Sequence, residues 1–83
     1  MKTKQKIYMI RKMLGWSQES LGERLGISQR HYGRIEKGET HIRLDRLETL
    51  CDELGITLPQ LTGMEVEQLY DLIAEKQNKS NKS

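Results

Sequence analysis

The chain has 83 residues, a net charge of +2, 35% hydrophobic residues and one cysteine. A chain of this length forms one small domain with a modest core, and a single cysteine excludes an internal disulfide and fits a reducing cytosol. No apolar run is long enough to span a membrane, and only scattered apolar residues follow the basic start, which disfavours a signal peptide. We therefore expect a cytoplasmic protein that makes no membrane contact.

The charges are divided unevenly between the two halves of the chain. Residues 1–46 contain eleven Lys or Arg and five Asp or Glu, whereas residues 47–83 contain three and seven. A basic half suits a polyanionic partner, and an acidic half suits the side that faces away from it. Mixed charge alone would simply solvate a small domain, so the asymmetry matters only where it coincides with a binding motif.

Apolar residues recur at helical spacing through most of the chain, which predicts an all-α protein. The first helix is expected over residues 4–14, with Ile7 and Ile10 facing inward and Gly15 ending it. Trp16 follows and is expected to close the core rather than stack on a ligand.

Residues 17–38 form the most informative stretch, because they predict two short helices joined by a tight turn. Ser17 and Ser28 precede the two helical runs, where each hydroxyl can cap free backbone N–H groups. Gly26 can adopt the left-handed conformation that ends a helix. Gly22 costs about 1 kcal/mol relative to alanine inside a helix, but its lack of a side chain makes sense if the second helix crosses directly over it. This combination is the helix-turn-helix pattern.

The second helix of this motif, over residues 28–37, has one apolar and one polar face. With Tyr32 and Ile35 turned inward, two arginines, a lysine and a glutamine turn outward. Such a helix fits the major groove of DNA, where Gln can pair with adenine and Arg with guanine. The alternative is an ordinary solvated face. The predicted base contacts are Gln29, Arg30 and Arg34.

Two further helices are expected after the motif. A fourth helix is predicted over residues 44–54 and ends at Gly55. Residues 57–60 carry a T-x-x-Q capping box with proline in the first turn, which starts a fifth helix that ends at Gly63. Cys51 is expected to be a small core residue rather than a nucleophile. The fourth helix is expected to turn four leucines inward: Leu44, Leu47, Leu50 and Leu54.

A set of short matches to one known pattern is spaced along the chain. It comprises Ile10-Arg11, Gly15-Trp16-Ser17-Gln18-Glu19-x-Leu21, Leu25-Gly26-Ile27-Ser28-Gln29 and Ile35-Glu36-x-Gly38, and it continues through the spaced leucines to Leu61. Together these motifs resemble the lambda-repressor/Cro-like family, also called the Xre family. The resemblance covers about two-thirds of the chain and implies a compact five-helix DNA-binding domain over residues 4–62.

The resemblance also implies roles for particular side chains. In this family an arginine at the position of Arg11 pairs with the glutamate of the I-E-x-G motif, here Glu36. Losing one partner of such a pair leaves a costly unpaired charge. The family contacts the DNA backbone from the start of the first motif helix, where the helix dipole favours a phosphate, and from the loop after the motif. The predicted backbone contacts are Gln18, Ser28, Lys37, Thr40, His41 and Arg43.

A sixth helix is predicted over residues 64–77, followed by a polar tail over residues 78–83 that we expect to be disordered. The five-helix domain does not need this helix, whose apolar stripe follows helical spacing. We predict that the stripe forms a homodimer interface, because a two-fold contact is the commonest way to bury such a face. The alternative is that it folds back onto Met9 and Met13. The stripe consists of Val66, Leu69, Tyr70 and Ile73.

We therefore predict a sequence-specific DNA-binding transcriptional regulator, a repressor, that binds double-stranded DNA at a pseudo-palindromic operator as a homodimer. One alternative is an antitoxin that binds a toxin through another surface. Another is a protein-interaction module whose DNA-binding face is idle. The histidines, the cysteine and the acidic residues form no metal-ligand or catalytic pattern, so no metal, no cofactor and no enzymatic activity is expected.

Overall fold

The structure, a computed structural model, describes the backbone of residues 1–81 and the side chains of residues 1–76. Within this range the chain forms six helices and no strand. The prediction of an all-α fold is thus confirmed, and no helix in the described range is both long and apolar enough to cross a membrane. The helices are α1 (Thr3–Leu14), α2 (Gln18–Leu25), α3 (Gln29–Lys37), α4 (Leu44–Leu54), α5 (Leu58–Gly63) and α6 (Val66–Asn81).

Side-chain caps set the start of the helices that form and follow the motif. The Ser17 hydroxyl accepts a hydrogen bond from the N–H of Ser20 at 2.9 Å, and Ser28 caps α3 in the same way. At α5 the Thr57 hydroxyl accepts from the N–H of Gln60, whose side chain accepts from the N–H of Thr57. These bonds satisfy donors that the first turn of a helix leaves unpaired.

The turn between α2 and α3 depends on two glycines. Gly26 has a φ of +75° and ends α2 in the left-handed region. A Cβ on Gly22 would lie 3.0 Å from the carbonyl oxygen of Ile27 and 3.2 Å from that of Ser28. Backbone oxygens cannot move aside as a flexible side chain can, so this approach requires glycine. The close neighbours of Gly22 are therefore the turn residue Ile27 and Ser28, which caps the start of α3.

The core draws side chains from all six helices. Tyr32 of α3 and Leu61 of α5 are fully buried, and Cys51 is 3% exposed, so it occupies the core as predicted. Burial, together with the nearby negative charges of Asp52 and Glu48, raises the pKa of the Cys51 thiol, which makes it a poor nucleophile.

The expectation that Leu44 faces inward is wrong. Its side chain is 61% exposed, whereas Leu47 packs against the core and Leu50 is buried. Leu44 is the first residue of α4. Helical periodicity extends back to this position, but the chain enters the helix here from the outside of the domain.

The stripe on α6 is buried within its own chain. Val66, Leu69 and Ile73 are 4%, 0% and 0% exposed, and α6 packs on α1. Three of the four residues that we assigned to a dimer interface therefore have almost no surface left for a second copy, and only Tyr70 is partly exposed. The physical reason is that α1 offers α6 an apolar surface within the same chain, including Met9.

The far end of α6 also differs from expectation. The helix continues to Asn81, four residues beyond the predicted end at residue 77 and into the segment 78–83 that we predicted as a disordered tail. Residues 82 and 83 of that segment lie outside the described residues. Near the end of the described side chains, Lys76 donates a hydrogen bond to the carbonyl of Gly55, which links α6 to the end of α4.

A buried lysine joins α1 to the segment between α5 and α6. Lys6 is 6% exposed, and its Nζ donates to the carbonyls of Leu61 at 3.1 Å, Thr62 at 3.0 Å and Met64 at 2.7 Å. The C-terminal end of a helix presents unpaired carbonyls and the negative end of its dipole, which favour an ammonium group. Lys6 therefore fixes the point from which α6 turns back across α1.

Candidate nucleic-acid interface

An open groove runs along the outer side of α3 and the start of α2. It combines the three predicted base-contacting residues with three of the six predicted backbone contacts. One acidic residue, which sequence reasoning did not select, also lies there. The groove is lined by Gln18, Ser28, Gln29, Arg30, Gly33, Arg34, Lys37 and Glu39.

The polar side chains of α3 face the groove because the opposite, apolar face of the helix is packed into the core. Tyr32 and Ile35 are 0% and 4% exposed, and these two contacts fix the rotation of α3 about its axis. The other side chains of the helix that line the groove are exposed, and they carry three positive charges. The arrangement presents a basic helix surface of the kind that the major groove admits.

The start of α3 offers hydrogen-bond donors toward the groove. The Ser28 oxygen accepts the N–H of His31 at 3.0 Å as a helix cap. A hydroxyl that accepts a bond in this way retains its own hydrogen. Ser28 can therefore cap α3 and donate to a phosphate at the same time.

Beneath the groove, Glu36 lies at the centre of a hydrogen-bonded network. Its carboxylate receives a bidentate pair from Arg11, with Nε–Oε2 at 2.7 Å and Nη2–Oε1 at 3.1 Å. Arg11 also donates from Nη1 to the carbonyl of Trp16 at 2.8 Å. The hydroxyl of Tyr32 donates to Oε2, and Nε2 of Gln18 donates to Oε1 at 2.9 Å. The network ties α1, α2 and α3 together directly behind the groove.

The network keeps Glu36 ionised. Burial would raise its pKa, but the hydrogen bonds from Arg11, Tyr32 and Gln18 outweigh burial and lower the pKa below its usual value. The hydrogen bond to Glu36 raises the pKa of Arg11. Burial first, and then the Glu36 carboxylate, raise the pKa of the Tyr32 hydroxyl. All three groups therefore hold their roles as donor or acceptor across the neutral range.

Gln18 connects this network to the groove surface. One hydrogen of its amide is used by Glu36, and the amide nitrogen has a second hydrogen to donate. A Cβ on Gly33 would lie 3.5 Å from Oε1 of Gln18, which is ordinary contact. Gly33 is thus not required by sterics, but its lack of a side chain leaves the carboxamide of Gln18 uncovered. Sequence reasoning placed Gln18 and Glu36 in separate roles and missed the bond between them.

The three remaining predicted backbone contacts lie outside the groove. Thr40 and His41 line two clefts on either side of the loop after α3, and Arg43 lines one of them. Arg43 is exposed and forms an ion pair with Asp45, with Nε–Oδ1 at 3.4 Å. Thr40, His41 and Arg43 can therefore contact the DNA backbone only where the DNA runs past the end of α3, beside the groove of the protein and not within it.

Two groups of residues near the site were missed by sequence reasoning. Lys2 and Lys4 at the start of α1 line the same cleft as Thr40 and His41, so they add positive charge beside the loop. Glu39 lines the groove and pairs with Arg34, with Nε–Oε1 at 3.6 Å. The basic start of the chain was a visible signal for the lysines, whereas nothing in the sequence marked Glu39. Among the described side chains, no group of three His, Cys, Asp or Glu residues could hold a metal ion.

A family model described as helix-turn-helix matches residues 7–61. This chain belongs to the Xre, or lambda-repressor-like, helix-turn-helix family. The match begins in α1 and ends in α5, so α6 of this helix-turn-helix protein lies beyond it.

Two curated relatives of this helix-turn-helix protein share 39% identity with it over 51 residues, which is 61% of this chain. One, from Sinorhizobium medicae (strain WSM419), is named an uncharacterized HTH-type transcriptional regulator, and the other, from Rhizobium meliloti (strain 1021), has the same description. The matched part spans 37% of the length of these relatives. No solved structure gives a significant match.

Proposed function

We propose that this helix-turn-helix protein is a sequence-specific DNA-binding transcriptional regulator that inserts α3 into the major groove. The observation that carries the proposal is the exposed face of α3, where Gln29, Arg30 and Arg34 line one groove beside Lys37. Arg and Gln are the side chains that pair with guanine and adenine in a bidentate manner. The names of the two relatives support a regulatory role, and the function is binding rather than enzymatic catalysis.

A division of labour between the groove residues follows from their positions. Gln29 and Arg30 occupy the first turn of α3, and Arg34 lies one turn further along the same face. Residues near the N-terminus of a recognition helix reach base edges. Gln18 and Ser28 start the two helices of the motif and are suited to hold phosphates on either side. The loop residues Thr40, His41 and Arg43 then extend the phosphate contacts past the end of α3.

Selection of bound sequences from a random DNA pool, followed by footprinting, tests the DNA-binding proposal. We expect one preferred sequence and a footprint in the major groove. Arg34→Ala and Gln29→Ala should each lose about 1–3 kcal/mol of discrimination at one base pair and keep the wild-type melting temperature, because both side chains are exposed. Enrichment of no sequence over the starting pool would overturn the proposal.

The regulator acts as a repressor in this proposal, because occupancy of an operator that overlaps a promoter needs no contact beyond the DNA face. A reporter gene with the selected site placed across its promoter distinguishes the two directions of control. Repression requires reporter output to fall when the protein is produced, and a rise would instead identify an activator. A partner chain that co-purifies in a stable complex would favour an antitoxin.

We also propose that the protein binds DNA as a homodimer, because one recognition helix covers only a few base pairs and two related by a two-fold axis read a palindrome. The interface must differ from the α6 stripe, which is buried. Leu44 is 61% exposed and offers an apolar surface that a two-fold contact would bury. Sedimentation with and without operator DNA tests the assembly, and a single chain bound to the full operator would exclude it.

A further inference from the structure

Glu39 is out of place on a surface that binds DNA. Of the described residues that line the groove, it alone is acidic, and the others include Arg30, Arg34 and Lys37. A carboxylate beside the phosphate backbone weakens binding to every sequence, because general affinity depends on how many phosphates the protein neutralises. Its presence therefore needs a reason that outweighs this loss.

The fold does not supply that reason. The side chains of Arg34 and Glu39 are 58% and 53% exposed, and ion pairs this open to water contribute little to stability. The backbone of Glu39 is held independently of its side chain, since its N–H donates to the carbonyl of Arg34 at 2.9 Å. Replacing the carboxylate should therefore leave the fold as it is.

The geometry of the pair points instead to the guanidinium of Arg34. Oε1 of Glu39 lies 3.6 Å from Nε of Arg34, on the side of the guanidinium nearest its aliphatic stem. Arginine has five N–H donors, and Nε carries one of them. At 3.6 Å the contact is an ion pair and not a hydrogen bond, and it attracts the guanidinium at its Nε edge. The two terminal nitrogens are then left as a pair, which is the edge that matches O6 and N7 of guanine.

The neighbours of Arg34 make such support useful. Arg30 lies four residues before it and Lys37 three residues after it, so both are adjacent on the helix surface. Like charges at these spacings push a flexible arginine toward water. The negative charge of Glu39 offsets that repulsion, and its attraction to Arg34 strengthens when DNA displaces water from the groove and lowers the local dielectric constant.

We propose that Glu39 is a positioning residue that holds Arg34 through Nε, so that the terminal nitrogens of Arg34 face a guanine. Glu39 thereby raises discrimination between sequences while lowering affinity for DNA in general. This inference rests on the proposed function, and it assigns to Glu39 a part in specificity without contact to a base.

The test is a double-mutant cycle of Glu39→Gln, Arg34→Ala and the double variant, with Glu67→Gln as the matched control. Glu67 is exposed on α6, and none of the described side chains of that helix lines the groove. The dissociation constant is measured at one fixed salt concentration for the selected site, for that site with the base pair read by Arg34 replaced, and for unrelated DNA. The melting temperature of each variant is measured in parallel.

We expect Glu39→Gln to bind unrelated DNA more tightly than wild type and to lose about three- to tenfold of the discrimination at the base pair that Arg34 reads, which is part of what a bidentate contact supplies. In the Arg34→Ala background, Glu39→Gln should cause no further loss of discrimination. The melting temperature should stay at the wild-type value, and Glu67→Gln should match wild type in every measurement.

Three results would overturn the inference. Discrimination that stays unchanged in Glu39→Gln, with tighter binding to all sequences, would reduce Glu39 to a repulsive charge. A loss of discrimination that persists in the Arg34→Ala background would mean that Glu39 acts without Arg34. Unchanged discrimination in Arg34→Ala itself would remove the residue that Glu39 is proposed to hold. A wild-type protein without any site preference would instead overturn the proposed function, and this inference with it.

Discussion

Helices α3 and α6 put the same helical periodicity to different uses. Of the nine residues of α3, only Tyr32 and Ile35 are buried, and five of the others line the groove. In α6 the stripe of Val66, Leu69 and Ile73 is buried against the rest of the chain. In α3 it is the exposed polar face that matters for binding, whereas in α6 it is the buried apolar face that matters for packing. An outward polar face can carry function, and a buried apolar face carries stability.

The contrast also shows what periodicity can and cannot specify. The turn before α3 fixes the position of the helix, so the two buried residues Tyr32 and Ile35 are enough to fix its rotation about its own axis. For α6 an apolar stripe indicates that the face is covered, but not whether its own chain or a second copy covers it. The deciding feature is α1, whose surface is within reach because Lys6 holds the α5–α6 connection against it.

The largest expected effect on stability comes from shortening a buried side chain of α6. Leu69 is fully buried, so Leu69→Ala should lower the free energy of unfolding by about 2–5 kcal/mol through lost burial and an added cavity. Urea denaturation followed by circular dichroism measures this loss. Asp71→Ala, an exposed change on the same helix, serves as the control and should stay within about 0.5 kcal/mol of wild type.

Sedimentation of the same Leu69→Ala variant sharpens the comparison. If α6 serves only its own chain, the variant and wild type have the same mass under conditions where both are folded. If the variant kept wild-type stability but dissociated into single chains, the stripe would be a dimer interface, and the packing of α6 on α1 of its own chain would be contradicted.

The network behind α3 should show the next largest effect. Glu36→Ala strands the guanidinium of Arg11, whose side chain is 9% exposed. Breaking a buried pair on one side costs about 3–5 kcal/mol, and we expect about 2–3 kcal/mol because some water reaches this site. Thermal unfolding measures the loss, and Glu48→Ala, an exposed glutamate on α4, is the matched control. Equal melting temperatures for Glu36→Ala and wild type would contradict a stabilising role for the pair.

The lowered pKa of Glu36 predicts how stability changes with pH. A carboxyl whose pKa is lower in the folded state contributes stability above its unfolded pKa, about 4.3 for glutamate, and loses it as the pH falls through the folded value. Between pH 7 and about pH 3, wild type should therefore lose more stability than Glu36→Gln, which has no proton to bind at this position. Chemical denaturation at several pH values measures both slopes, and parallel curves would exclude Glu36 as the source.

The sequence predicts the motif well because its signals are local. Ser17 and Ser28 cap the helices that follow them, and Gly22 and Gly26 act on the turn beside them, so each signal operates within a few residues. Leu44 was misplaced because periodicity continues past the point where a helix leaves the core. The resemblance supplied the pairing of Arg11 with Glu36, which no spacing along the chain encodes.

Other features depend on contacts that only the folded chain brings together. Lys6 meets carbonyls 55 to 58 residues away, and a lysine near the start of a basic helix carries no sign of burial. The hydrogen bond from Gln18 to Glu36 joins a residue that we predicted to contact DNA and a residue that we predicted to pair with Arg11. Glu39 has a partner only because the end of α3 turns it back toward Arg34.

The smallest expected effect lies where the groove and the network meet, at Gln18. Because phosphate contacts position a protein without reading sequence, Gln18→Ala should weaken binding to the selected site and to unrelated DNA by the same factor, about 1 kcal/mol for one hydrogen bond. The stability loss should be similarly small, since Glu36 keeps its bonds to Arg11 and Tyr32. Fluorescence anisotropy on both DNAs measures the two affinities, with Gln68→Ala on α6 as the control. A change in base preference without a general loss of affinity would show that Gln18 reads sequence, and would extend the specificity surface from α3 onto the start of α2.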